Sequence, residues 1–561
     1  MHKRAAKSSS LCLTVFVVIG HACESQARLC RNSPLGLCVR ALGVWGRVAA
    51  FGKFGENPKM LHQGLVRLFG IPAGAPDFIW VLVPTTRGEV FVPVLLPHEF
   101  FGRLHASRRA LWEQAIRGPA DAAKAFWDFL QDTPMVRDHP YLPNGRRHQT
   151  IPLGLHGDAG PFTKQDGVFV ISWNSLIVGE AGEGFAKRFL FAVIRKADLV
   201  PGTLDALWTV FAWSANALLT GISPEVDWAQ REIGGGGDYI AGGFRGAVVQ
   251  LRGDWEFYCQ IFKFPYWHEA ERMCWLCKAS NTIERLLWTS VGADAGWRST
   301  RMGQQEYMDD MRARGRAVPV LLSLVIGLTV TCVMVDVLHA VDLGVASHVI
   351  GNIFWRCVTM RAWGGRTNEE NMKKLEMELN EWYKERKEKS QLQGKLTIAR
   401  VRTDKGWPKL KAKGAATRHL AEFALVIAKK YLGTSTRERK ELAVIQCLVN
   451  FYRIISSEGM YLSDEAKREL PKVGNRLCAL YGSLAREMFT LGQKFWKMNP
   501  KMHLFLHLCE WVVPELGLNP RQYWCYADED VVGQLVEVAR TSHVRSLAAT
   551  CLFKWLLLAF E

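Results

Sequence analysis

The chain has 561 residues, 48% of them apolar and 22% charged. It is too long for one ordinary domain and too apolar for global disorder, so a large buried core is expected. Lys and Arg outnumber Asp and Glu by 71 to 54, and a net charge of +17 favours polyanionic partners, although a merely soluble basic protein has the same balance.

Residues 1–58 read as an irregular segment. Within it, Leu11 to Gly20 follows His2, Lys3, Arg4 and Lys7 and has the outline of a secretory signal. No clean small-x-small cleavage site follows, His21-Ala22-Cys23 being the nearest approach. Residues 59–149 read as a small α+β region. Phe78 to Leu96 predicts a hairpin around Pro84–Gly88, and Ala106 to Gln131 predicts helix interrupted at Gly118-Pro119.

Ile151 to Leu155 predicts a strand that enters an acidic, glycine-rich bend at His156–Gly160, and Gly167 to Trp173 predicts its partner strand. Leu204 to Leu219 is apolar nearly all round and predicts a buried helix. After the glycines at 234–237 and 242–243, Ala247 to Leu251 predicts a strand ending on Arg252-Gly-Asp254. Val318 to Val335 is an uncharged run that hydropathy alone reads as a membrane span. Its direct continuation into Asp336 and His339 favours a buried strand pair or apolar helix instead.

Beyond Trp363 the pattern is helical. Thr367 and Glu370 predict a capping box, with Met372, Leu375, Leu379 and Trp382 forming one apolar stripe. Further helices are expected over 415–432, stopping at Gly433, and over 437–455 and 464–495. Asn499-Pro500 suits the start of another, and Val531 to Arg540 reads as the last.

Asp158, Asp254 and Glu529 stand out by context, two at strand ends and one opening a helix. Carboxylates gathered together repel and raise one another's pKa unless cations neutralise them, and Mg²⁺ takes carboxylate oxygens readily. Two such ions could serve a phosphodiester exchange. Asp336 follows an apolar run and competes with Asp254 as the second acid. Cys274 and Cys277 have the spacing of a Zn²⁺ grip, for which His268 and Cys259 are the nearest further ligands in sequence. His503 and His507 share one helix face, but without an acidic residue between them they read as core or hydrogen-bonding histidines. The fourteen cysteines show no framework spacing and fit a reducing compartment. Lys384–Lys389 and Arg312–Arg316 are solvated basic runs or weak nuclear signals.

The order of the flanking motifs resembles CACTA (En/Spm-type) transposases, a DDE superfamily. The resemblance rests on Leu155-His-Gly-Asp-Ala-Gly-Pro-Phe162, Asp254-Trp-Glu-Phe257, Cys274-Trp-Leu-Cys277, Asp336-Val-Leu-His339 with Leu343-Gly-Val345, Pro500-Lys-Met-His503 with His507, and Glu529 with Gly533. It implies a ribonuclease-H-like core at 150–260 and 500–545, interrupted by a mostly helical insertion over 261–499. Asp158, Asp254 and Glu529 would be the catalytic Mg²⁺ ligands, with Asp336 and His339 as an auxiliary pair. DNA would be the substrate, a homo-oligomer the acting form and the nucleus its location, with no membrane partner. Ala159 stands where the family places Gly, and Asp530 where a basic residue is common. A non-catalytic descendant that only binds DNA or protein is therefore the alternative, and a membrane protein anchored by 318–335 the second.

Overall fold

The computed structural model describes residues 75–142, 146–179 and 187–560. The signal-like stretch at 11–20 and the rest of the irregular segment lie outside these residues. The architecture is mixed α/β around one six-stranded sheet. Its strands are β1 (Ile79–Thr85), β2 (Gly88–Val94), β3 (Thr150–Pro161), β4 (Gly167–Ser175), β5 (Phe189–Arg195) and β6 (Arg245–Arg252). They lie in the order β1-β2-β5-β4-β3-β6.

β3, β4 and β5 form an antiparallel meander, and β6 returns parallel to β3. The crossover carries the long buried helix expected at 204–219. Helix α1 is Pro97–Ser107, and this crossover helix, α2, is Thr203–Thr220. All nine residues of β4 are buried, so the sheet is covered on both faces, and the strand is mostly apolar with Ser172, Asn174 and Ser175 near its end. The β1–β2 hairpin is not a separate unit. It joins the same sheet through Val94 and Ala192, so the catalytic-core boundary expected at residue 150 cuts through one continuous layer.

Two further expectations change. The glycine-rich segment His156–Gly160 is strand, not bend: β3 stays paired with β4 through Asp158↔Val170 to Pro161↔Gly167. Its glycines serve close approach rather than a turn. A Cβ on Gly157 would lie 2.1 Å from the Phe257 ring, and one on Gly160 would lie 2.5 Å from Val536. The apolar run Val318–Val335 forms neither a strand pair nor a long helix. It makes a short helix at Val320–Leu324, a 3₁₀ turn at Val330–Cys332 and a single parallel bridge from Val333 to Leu251. Pro319 and Gly327 (φ +80°) break it up, and most of its larger side chains are buried, Leu324 being exposed. Among the described residues no helix is long and apolar enough to cross a membrane.

The strand β6 leads into α3 (Trp255–Phe262), then into an irregular cysteine-bearing stretch. A π-helix at Leu338–Ala346 runs on into α4 (Ser347–Thr359). The helical body continues with α5 (Asn368–Arg386), α6 (Gly414–Tyr431), α7 (Thr436–Ser457) and α8 (Asp464–Thr490). Thr367 caps α5 as expected, its hydroxyl accepting from Glu370 N at 3.1 Å. Asn499 caps α9 (Pro500–His507) by accepting from Lys501 N at 3.0 Å. The chain then returns to the sheet with α10 (Tyr526–Arg540), packed on β3 and β4, and α11 (Leu547–Phe560), packed on β5 and β2. The core thus extends past the boundary expected at 545.

Candidate active site and metal centre

Asp158 and Asp254 are brought together by a shared aromatic ring. β3 and β6 run parallel up to His156↔Arg252, and both strands then place a glycine beside Phe257. A Cβ on Gly253 would lie 2.4 Å from that ring, and one on Gly157 closer still. Phe257 in turn is fixed by the Asp254 carboxylate, which caps α3 and accepts from Phe257 N at 2.7 Å. Only glycine before each Asp lets the two strand ends close on one side chain.

Glu529 arrives from the first turn of α10 and shares a hydrogen bond with Asp158. Its Oε1 lies 3.7 Å from His339 Nε2, and His339 Nδ1 lies 2.7 Å from Asp336 Oδ2. Asp158, Asp254, Glu529, Asp336 and His339 therefore form one cluster, drawn from β3, the end of β6, the π-helix with the residues leading into it, and α10.

Hydrogen-bond accounting separates the two candidate second acids. Asp336 is buried and accepts from Leu338 N (3.0 Å), His339 N (2.9 Å), Cys525 N (2.9 Å) and the His339 ring. Its oxygens are occupied by protein donors. Among the described residues Asp254 accepts only at Oδ1, from Phe257 N, which leaves its other oxygen open.

Burial and the neighbouring Asp158 and Asp336 charges raise Glu529 to about 8, although His339 opposes them. Burial and Asp158 also raise Asp254, while the Phe257 amide and His339 lower it. Burial works against a charged His339, but the Asp336 hydrogen bond and the Asp336 and Glu529 charges prevail and lift it to about 9. The cluster thus holds protons where a divalent cation would otherwise supply the charge. The sign of the pH effect follows. From its ordinary 4.5 up to about 8, Glu529 is ionised in the unfolded chain but protonated in the folded one. The folded state then binds the extra proton, so metal-free stability falls as pH rises through that window. Thermal melts in chelator should show this decline, and Glu529→Gln, which mimics the protonated form, should flatten it. An unchanged slope in that variant would remove Glu529 as its source.

A second network, behind the acids, holds α10 in place. Asp528 is sealed in the interior and accepts from Arg188 Nε at 2.7 Å and from Arg252 Nε and Nη2 at 3.2 and 3.0 Å. Burial opposes ionisation, yet the two guanidinium groups keep its carboxyl well below the usual range. Arg252 also reaches Gln250 and Asn174. On the insertion side, Asp342 accepts from Tyr526 Oη at 2.5 Å and from Tyr452 Oη. Burial pushes Asp342 up to about 7. Sequence reasoning passed over Asp528, Arg188 and Arg252. The one available signal was an arginine closing a strand whose other residues are mostly apolar.

The cysteine pair meets the histidine pair. Ligand atoms of Cys274, Cys277, His503 and His507 all lie within 4.8 Å of one another, and all four residues are buried. Cys277 Sγ is 3.2 Å from His503 Nε2, which is 2.9 Å from His507 Nε2. Burial raises the Cys274 thiol, but the Cys277 hydrogen bond and the two imidazoles bring it well below its usual value. Two sulfurs and two imidazole nitrogens converging in the interior are a donor set that could hold a tetrahedral structural Zn²⁺. The nearer ligands in sequence lie elsewhere. His268 is exposed and stacked on Tyr266, and Cys259 donates to the Pro265 carbonyl at 3.5 Å. The helix face of His503 and His507 therefore looks at the cysteines across 226 residues of chain.

No known family model matches the chain, and no curated protein matches it.

Proposed function

We propose that the chain is a DDE-type transposase-like protein with a ribonuclease-H-like core, similar to CACTA transposases, that cleaves and joins DNA strands. The observation that carries this reading is the meeting of Asp158, Asp254 and Glu529 at one end of a sheet. The sheet there is a three-stranded meander followed by a crossover helix and a fourth strand parallel to the first. The carboxylates fit Mg²⁺ by chemistry: hard oxygen donors, a mutual repulsion that a proton now relieves, and an open oxygen on Asp254. Asp158, Asp254 and Glu529 would hold the metal, and two such ions stabilise the attacking and leaving oxygens of an in-line displacement.

The surrounding residues have separable tasks in this reading. Asp336 orients the His339 ring, whose Nε2 faces Glu529 and brings a positive charge to the acids. A cavity of about 210 Å³ opens beside Asp254, Asp336 and Lys501, and a larger hollow of about 1000 Å³ borders Glu529 and Lys413. A polynucleotide could therefore cross the acids from one hollow to the other.

The test is metal-dependent nicking of end-containing duplex DNA by the full chain, with Mg²⁺ or Mn²⁺ and with chelator. Cleavage only with metal supports the reading. DNA binding without cleavage in either metal would favour the non-catalytic descendant.

A further inference from the structure

A cluster of lysines lies beside the acids, and among the described residues none of its amines is held in an ion pair. Lys501 is the second residue of α9, and its stem crosses Gly344 of the π-helix, where a Cβ would come within 2.9 Å of the lysine. Lys409 sits against Gly351 one element further on, at 2.7 Å by the same measure, and Leu410 N donates to Ser347 O at 2.8 Å. Lys497 is set by its neighbour Trp496, whose backbone N donates to Asn352 Oδ1 at 2.8 Å. Lys409 and the Lys497–Lys501 segment thus pack against the π-helix and α4, with His348 buried among those elements.

None of the three amines makes a hydrogen bond or ion pair with another described residue. Elsewhere buried cations are matched: Arg188 and Arg252 by Asp528, Arg437 by Glu441. Burial and all three lysines hold His348 neutral, down at about 3, and its Nδ1 has no partner. Like charges kept together without an ion pair are the arrangement expected of an anion-binding site. Lys501 lines one cavity with Asp254 and Asp336, so the cluster borders the acids.

We infer that Lys409, Lys497 and Lys501 form a phosphate-binding site for the nucleic-acid backbone, holding a phosphodiester next to the one at the carboxylates. The inference rests on the proposed function and adds the track along which the strand lies. Three mobile amines supply charge without reading base edges, so the site positions the strand and does not select its sequence.

The test is the salt dependence of DNA affinity for the full chain and for Lys409→Gln/Lys497→Gln, which leaves the acids and Lys501 intact. Each lost phosphate contact on duplex DNA lowers the slope of log K against log salt by about 0.9. The double variant should lose at least about that much, with its melting temperature unchanged. Lys387→Gln/Lys389→Gln, the same charge loss on an exposed helix end, should leave the slope as it was. Equal slopes for parent and the first variant would overturn the site. So would saturable ³¹P broadening by inorganic phosphate, lost in that variant, with the DNA slope unmoved, because the ligand would then be free phosphate. Absence of salt-dependent DNA binding in the parent itself would instead count against the proposed function.

Discussion

Alanine at Asp158, Asp254 or Glu529 should each abolish metal-dependent nicking while leaving the chain folded. Loss of a group that only orients a metal ligand costs about 10–100-fold. Loss of a ligand itself should exceed the upper end of that range, so residual activity below about one hundredth is expected for each variant. The three effects should not multiply, since a site missing one ligand has already lost what the others support. Asp336→Asn should differ in kind. Its oxygens satisfy four donors, so the variant should lose stability as well as the His339 orientation. Nicking assays paired with thermal melts separate the two patterns. Near-parental cleavage by Asp254→Ala alongside inactive Asp336→Asn would reverse the assignment of the second acid.

The second large effect concerns Cys274, Cys277, His503 and His507. Purified protein should carry one zinc per chain, and Cys274→Ser/Cys277→Ser should carry none. Structural zinc contributes about 10–16 kcal/mol of apparent binding energy in small domains, against a total stability of roughly 5–15 kcal/mol for a typical protein. The double variant should therefore lose its cooperative melt or precipitate. His503→Ala alone should show a large part of the same loss, since it faces both a sulfur and the other imidazole. Elemental analysis decides the matter: equal zinc in parent and double variant would leave the cluster as packing.

Local signals carried much of the architecture. The buried helix at 203–220, the strand at 245–252, the Thr367 cap and the Asn499-Pro500 start all follow from periodicity and capping chemistry within a few residues. What failed to show was whatever depends on a distant partner. His156–Gly160 looks like a bend because glycines usually mark one, yet these make room for Phe257 and Val536. The cysteines were matched to nearby His268 and Cys259, when the facing histidines lie 226 residues on. Asp528 was only a neighbour of Glu529, and its guanidinium partners sit 340 and 276 residues earlier. A single sequence has no means of pairing such positions, whereas spacing along one helix or strand is visible directly.

The Asp528 clamp has a consequence for biosynthesis. Arg188 and Arg252 leave the ribosome long before the carboxylate that neutralises them, so the sheet must wait, with two cations facing its interior, for the final helices. A buried charge left without its partner costs about 3–5 kcal/mol. A message cut short before codon 528 would therefore yield a chain that lacks Glu529 and cannot settle its own core. Truncated copies would be cleared as misfolded protein rather than persist as stable fragments. The same pairing that aims an acid at the site makes completion of the chain a condition of its survival.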